Sequence, residues 1–250
     1  MDSRILNFLE KITEEERDIL ANKKINNSIY TNDKDFTKVE ANKVIDAGSL
    51  INIRPHTRFI DFPQHTHEFV EAIYVLRGNI TNIINNEEIK MHRGDILFLN
   101  RNISHAIKAT DKNDLAINFF IKPNFFDESL SMLKEDNYIK AFITNALKNH
   151  KKVGQFLLFK TEGIIPIENT LENLIFSLIT NKNSKEININ KKLIGILFMY
   201  LTQTNSALQK DIKVNSEQKF GKIIESYIDT EYTTATLWEI SDRLNMTIFQ

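Results

Sequence analysis

The chain has 250 residues, 42% of them hydrophobic, and a net charge of −1. That length predicts one or two domains with a sizeable core, and the balanced charge supplies no global field for nucleic acid or an anionic membrane. Seven glycines and four prolines exclude collagen-like and Pro-rich chains, and the lack of cysteine excludes disulfides, thiolate metal sites and a cysteine nucleophile.

Residues 3–20 predict one amphipathic helix. Ser3 is its N-cap, and Ile5, Leu6, Leu9, Ile12, Ile19 and Leu20 fall near a single stripe. Asp2, Glu10, Glu14, Glu15 and Glu16 in this stretch are unlike a signal peptide. Residues 43–122 have another texture: short runs rich in Ile, Val, Phe and Leu, cut by turn signals at Arg77-Gly78-Asn79, Asn85-Asn86, Arg93-Gly94-Asp95 and Asp111–Asp114. That spacing predicts an antiparallel sandwich or barrel, with a tight hairpin at Asn85-Asn86. From residue 127 the period is helical. Asp127–His150 reads as one helix, 154–160 as a short strand, and Pro166 opens a helix with the stripe Ile167, Leu171, Leu174, Ile175 and Leu178. A further helix runs through Ile194–Leu208. Its stripe Leu193, Leu197, Tyr200, Leu201 and Thr204 is the candidate seam of a homodimer, with packing inside the chain as the alternative. The most apolar run, Leu193–Leu201, is nine residues, and a membrane span needs about 20. The expectation is a soluble, cytoplasmic protein with no membrane partner. Residues 209–219 read as a linker.

The densest chemistry is His65-Thr66-His67, then Glu71 and Gly78, followed by Gly94-Asp95-Ile96 and His105. Side chains alternate along a strand, so His65, His67, Phe69, Glu71, Ile73 and Val75 share one face, which otherwise reads as a barrel interior. An ionised Glu71 there needs compensation: a divalent cation, a protonated imidazole, a polar ligand, or water at the barrel mouth. Three imidazoles and a carboxylate suit Zn, Fe, Ni or Mn with positions left open. His56 and His92 fit no ligand spacing and read as surface or structural residues. His150 reads as a helix-end cation.

This pattern resembles the cupin signature at every ligand-type position. Its frame departs from the family: Phe59 stands for the leading glycine, Asn100 and Asn102 for the proline and glycine of the second motif, and Ala109 for the asparagine after the last histidine. Residues 220–250 then read as a helix with Ile223, Ile224, Tyr227 and Ile228 on one face, a second helix carrying Leu237, Ile240 and Leu244, and a short turn before Thr247. Leu237-Trp238-Glu239-Ile240-Ser241 and Leu244-Asn245-Met246-Thr247 resemble the first helix-turn-helix of AraC/XylS-type transcription regulators, many of which carry an N-terminal cupin sensor.

The resemblance implies an α+β chain: an N-terminal helix and cupin-type antiparallel β-barrel (1–125), an all-α dimerisation region (126–210), and a partial helix-turn-helix (216–250). It implies a small-molecule effector in the barrel at His65, His67, Glu71, His105, Phe69 and Ile73, with the first four as possible metal ligands. No cofactor is called for beyond that divalent metal. DNA contact would fall on Thr247, Ile248, Phe249 and Gln250. The chain ends three residues after Thr247, and 216–250 carry Lys219, Lys222 and Arg243 against six carboxylates. Operator DNA is therefore expected as a partner of a full-length form only. The second reading is a metal-dependent isomerase or dioxygenase on the same four ligands, though no further acid or base suggests itself. The third is an interaction module that titrates full-length partners.

Overall fold

A computed structural model of the chain describes residues 2–33, 36–135, 137–147, 154–180 and 187–208. The helix-turn-helix expected over 216–250, with Thr247, Ile248, Phe249 and Gln250, lies outside the described residues, as does His150.

The N-terminal stretch is two helices rather than the one expected: α1 (Ser3–Glu10) and α2 (Glu14–Asn22). Thr13 makes the break. Its hydroxyl accepts the Glu16 N–H, and the Glu16 carboxylate accepts the Thr13 N–H, a reciprocal cap that starts a new helix. Asp2 rather than Ser3 caps α1. A short strand β1 (Lys38–Val39) and one turn of helix α3 (Ala41–Val44) lead into the strand-rich region.

The alternating runs become β2 (Ile51–Pro55), β3 (Phe62–His67), β4 (Val70–Arg77), β5 (Asn79–Ile84), β6 (Glu87–His92), β7 (Asp95–Leu99), β8 (His105–Ile107) and β9 (Leu115–Ile121). They form two five-stranded sheets, in the orders β1-β3-β8-β5-β6 and β10-β7-β4-β9-β2. The outer strand β10 (Phe156–Lys160) pairs with β7 from Phe156↔Leu99 to Lys160↔Asp95. Asn85 and Asn86 both adopt positive φ, 51° and 63°, and close the β5–β6 hairpin as their residue type suggests. Gly94, at φ 84°, lets the β6–β7 turn lie against the Glu162 backbone. A Cβ there would sit 2.5 Å from Glu162 Cα.

Between the sheets lies one apolar core with Phe62, Phe69, Ile73, Val75, Ile80, Ile84, Met91, Leu97, Leu99 and Phe120. The second sheet is covered on its other face by helices: α4 (Asp127–Ser131), α5 (Tyr138–Leu147), α6 (Ile165–Thr180) and α7 (Ile187–Leu208), together with α1. Val70, Ala72, Tyr74 and Leu76 of β4 belong to this second core. Both faces of β4 are therefore buried, which is why its sequence reads as a nearly unbroken apolar run. The helix expected over Asp127–His150 is two helices. Asn137 accepts the N–H groups of Ile139 and Lys140 and so starts α5 separately. Residues Met1–Lys210 form one compact unit.

The expected dimer seam does not exist as one free stripe. Leu197 and Leu201 are fully buried in the core shared with α4 and α6, and Leu193 is half-buried against it. The Thr204 hydroxyl donates back to the Tyr200 carbonyl. Among its described side chains, the large apolar residues that α7 exposes are Ile189, Ile196, Met199 and Tyr200. The helix is apolar nearly all round here, and the face that fits the sheet was not separable from the free one by period alone.

Candidate metal and effector site

The strand expected to run unbroken through His65–Val75 is interrupted at Glu68-Phe69, where the chain passes from one sheet to the other. The alternation survives the crossing. His65, His67, Phe69, Glu71, Ile73 and Val75 are all buried, and the apolar ones belong to the inter-sheet core. Strand β8 pairs with β3 so that His105 stands opposite His65. Two sheets thereby bring four side chains together: one ligand-type atom from each of His65, His67, Glu71 and His105 lies within 4.8 Å of the others.

His67 Nε2 is 2.8 Å from His105 Nε2 and 3.0 Å from Glu71 Oε2, and His105 Nε2 is 3.4 Å from the same oxygen. Glu71 Oε2 and His67 Nδ1 are nevertheless buried without a hydrogen-bond partner. The outer nitrogens are held. His65 Nδ1 lies 2.8 Å from the Pro63 carbonyl, and His105 Nδ1 lies 3.0 Å from Asn82 Oδ1. His65 Nδ1 donates to the Pro63 carbonyl, which leaves Nε2 of its neutral ring with a free lone pair. This is the arrangement in which imidazoles bind cations, the outer N–H fixing the tautomer. Burial holds His65 well below its ordinary pKa, helped by the His105 and His67 rings beside it. Burial also lowers His105, more than the Glu71 carboxylate raises it. Burial pushes Glu71 up, but the imidazoles of His105 and His67 outweigh it and keep the carboxyl well below its usual range. A buried carboxylate with an orphan oxygen, set among three imidazoles, is a donor set that fits a divalent cation, which His65, His67, Glu71 and His105 would hold. Such an ion would act as a Lewis acid or as an anchor for an oxygen-bearing ligand.

A cavity of about 30 Å³ adjoins the cluster, room for one or two waters in this shape. His65, His67, Phe69 and Glu71 line it; His105 and Ile73 are buried in the same core but are not part of its wall. Sequence reasoning missed several of its residues. His56, read as surface or structural, is buried in the cavity wall, its Nδ1 2.9 Å from Asn118 Oδ1; Asn118 Nδ2 donates to Glu71 Oε1 at 2.8 Å. Tyr30 and Arg54 line the mouth and both bond Glu15 of α2: the Tyr30 hydroxyl donates to Oε1, and Arg54 Nη2 to Oε2 at 2.9 Å. Next to it, Glu16 takes a two-pronged bond from Arg58, Nε to Oε1 at 2.6 Å and Nη2 to Oε2 at 2.9 Å, with both side chains only 1% exposed. The only signal was the acidic run 14–16, which reads locally as a solvated helix start. His92 is exposed and bonds Asn79, in line with a surface role.

The frame departures now have reasons. Phe59 sits at φ 74°, a backbone state that glycine takes freely and a phenylalanine takes under strain. Asn100 substitutes a side chain for turn geometry: its Oδ1 accepts the N–H groups of Asn102, Ile103 and Gln155.

The cupin domain family matches residues 50–121, the segment that carries the inter-sheet His/Glu cluster. Among curated proteins the chain is similar to the HTH-type transcriptional activator RhaR of Shigella dysenteriae serotype 1, 26% identical over 127 residues, and to RhaR of Shigella flexneri, 25% identical over 127 residues. Both matches span 46% of this chain and 43% of the relative, so less than half the length of these relatives is covered. Solved structures similar to it include ToxT from Vibrio cholerae (TM-score 0.40, 12% identity, 79% of this chain and 69% of that one) and the same protein with an unsaturated fatty acid bound (TM-score 0.41, 15% identity, 79% and 69%). KdgF from Halomonas sp. has a TM-score of 0.24 at 21% identity, over 28% of this chain and 68% of that one. The chain thus carries a match to the cupin domain family over 50–121 and is similar, over part of its length, to HTH-type transcriptional activators. Among the described residues no helix is long and apolar enough to cross a membrane.

Proposed function

We propose that the chain is the effector-sensing portion of a cytoplasmic transcription regulator and not an enzyme. A small molecule occupies the barrel beside His65, His67, Phe69 and Glu71. Operator DNA is the macromolecular partner, and the regulator works as a homodimer. The observation that carries this reading is the buried, incompletely satisfied polar cluster beside a cavity in a chain whose curated relatives are named transcriptional activators. The cavity is small as it stands, so a larger effector enters only as α2 and the Tyr30 segment move away. A thermal-shift screen of sugars, fatty acids and divalent cations tests it. A ligand present at 100 times its Kd adds about 2.7 kcal/mol to the folded state, and a screen with no stabilising compound removes the sensor reading. Sedimentation velocity tests the homodimer; a monomer well above micromolar concentration refutes it.

The four-ligand set favours a second reading, a metal-dependent cupin enzyme or a metal-gated sensor. Metal analysis of the purified protein decides whether it stands. Stoichiometric metal, lost in His65→Ala, supports a working cation centre, and its absence leaves the effector sensor alone.

A further inference from the structure

A second cavity lies on the helix side of β4, and no residue of the barrel cavity lines it. Its volume is about 390 Å³, against about 30 Å³ beside the His/Glu cluster, and small-molecule sites run from roughly 300 to 1,000 Å³. Alternation along β4 places it: Tyr74 and Leu76 belong to the helix-side core, whereas Ile73 and Val75 belong to the barrel. With Leu6 of α1, Leu115 of β9 and Ile175 of α6 they form the apolar part of its wall. Glu168, Glu172 and Ile175 are spaced by four and three residues and so share one face of α6. Arg77, at the end of β4, and Arg93, in the β6–β7 turn, complete the rim.

The rim charges are unevenly engaged. Arg77 donates to Glu10 Oε1 at 3.0 Å and to the Asn113 carbonyl at 3.1 Å, and Glu172 accepts the Asp2 N–H. Arg93 differs: the carboxylates of Glu162 and Glu168 stand 3.9 and 4.0 Å away, too far for hydrogen bonds, and its side chain is 61% exposed. Tyr74 is buried, and the charges that act on its hydroxyl are those of Glu168, Arg93 and Glu172, which sets that hydroxyl at the same rim. Burial, with Glu168 beside it, pushes the hydroxyl up to about 12, so it is a donor at neutral pH. Exposed pairs as long as those of Arg93 hold weakly, whereas a carboxylate that meets the guanidinium fork directly gains two charge-assisted bonds. A plain anion there would also meet Glu162 and Glu168, and a plain cation would meet Arg93 and Arg77. A ligand carrying both charges side by side avoids both penalties. We propose that this cavity binds a zwitterionic α-amino acid with an apolar side chain. Its carboxylate takes Arg93 and the Tyr74 hydroxyl, its ammonium takes Glu168, and its side chain lies among Leu76, Leu115 and Ile175. The proposal does not depend on the effector reading.

Isothermal titration calorimetry of the whole chain tests it. L-Leucine and L-phenylalanine are titrated beside their amines, isoamylamine and phenethylamine, and beside their acids, 4-methylpentanoate and 3-phenylpropanoate. At least one amino acid should bind roughly 10-fold tighter than its own amine and its own acid. Arg93→Gln, at an exposed position, and Glu168→Gln, which keeps an acceptor oxygen, should each weaken it by roughly 10-fold, and Tyr74→Phe by less. Amide shifts in ¹⁵N-edited NMR should appear at residues 74–77 and 93–94. No binding of either amino acid up to about 10 mM overturns the proposal. An amine or acid that binds as tightly as its amino acid overturns it too, as does unchanged affinity in a folded Arg93→Gln or Glu168→Gln. Shifts confined to β3 and β8 place the ligand in the barrel instead, which overturns this site and leaves the effector reading standing.

Discussion

Replacing Arg58 with alanine should loosen the wall of the barrel, and the structure sets the size of the effect. Arg58 gives Glu16 two charge-assisted bonds at 2.6 and 2.9 Å, and it also bonds the Lys112 and Lys11 carbonyls at 3.0 and 3.3 Å. In Arg58→Ala, the Glu16 carboxylate keeps only backbone N–H donors, from Thr13 and residue 58. Breaking a buried pair from one side costs about 3–5 kcal/mol, because the surviving charge stays out of water. For a chain of this size that corresponds to a Tm lower by roughly 6–20 °C. Urea unfolding followed by circular dichroism at pH 7 measures it, and a loss under about 1 kcal/mol refutes the reasoning. The pH dependence gives a second check. Burial pushes Glu16 up, but Arg58 and the Thr13 N–H pull it further down, so its carboxyl sits below the ordinary value of 4.5 in the folded chain. A depressed carboxyl stabilises fully above its unfolded pKa, and that stability is lost as pH falls through the folded pKa. The gap between wild type and Arg58→Ala should therefore be widest near neutrality and should narrow below about pH 4.5. Because Glu15, next in α2, bonds Tyr30 and Arg54 at the cavity mouth, the variant should also exchange amide protons faster across residues 14–22.

Three further outcomes are expected. His56, His65 and His105 are all kept neutral by burial, so the unfolded chain takes up more protons below about pH 6.5. Stability should fall with acidification there by up to about 1.4 kcal/mol per pH unit for each ring, and equal urea midpoints at pH 7.5 and 5.5 contradict it. Gly94→Ala forces a side chain into φ 84° with its Cβ 2.5 Å from a backbone atom. A loss of several kcal/mol by the same assay is expected, against a few tenths if the turn can shift. Leu201→Ala empties a fully buried site on α7 and should cost about 2–5 kcal/mol, whereas Met199→Ala, on the exposed side of the same helix, should stay within about 0.5 kcal/mol in dilute protein.

The barrel and the cation-type cluster were legible because both rest on period. Two-residue alternation put His65, His67, Glu71 and Ile73 on one face, and it held even across the Glu68-Phe69 crossover. Turn chemistry was equally local, so Asn85-Asn86 and Gly94 stood where expected. What could not be read depends on contacts between distant residues. Glu16 pairs with a residue 42 positions away and His56 with one 62 positions away, and nothing in either neighbourhood announces the partner. The helix breaks at Thr13 and Asn137 were readable in principle as caps, but their polar residues were absorbed into apolar stripes that happened to continue on the far side. On α7 the stripe itself misled, since apolar residues occur on both its buried and its exposed sides.

The two cores share one sheet, and that shapes how a signal could leave the barrel. Along β4 successive residues belong to opposite cores: Glu71 to the cluster, Ala72 to the helix layer, Ile73 to the barrel, and Tyr74 to the helices again. Phe119 and Phe120 of β9 divide the same way. A close-packed sheet passes on displacement because its neighbours have no free volume in which to absorb it. A ligand that pulls on Glu71 or Phe120 therefore acts, one peptide away, on the residues against which α1, α6 and α7 pack. Only a difference in ligand affinity between two helix arrangements turns that connection into a switch, and the coupling must then be reciprocal. Overpacking the helix side with Ala72→Val, away from the cavity, should change the affinity of whatever ligand the thermal screen finds. An unchanged Kd in a folded Ala72→Val would confine the ligand's effect to the barrel and remove β4 as the path.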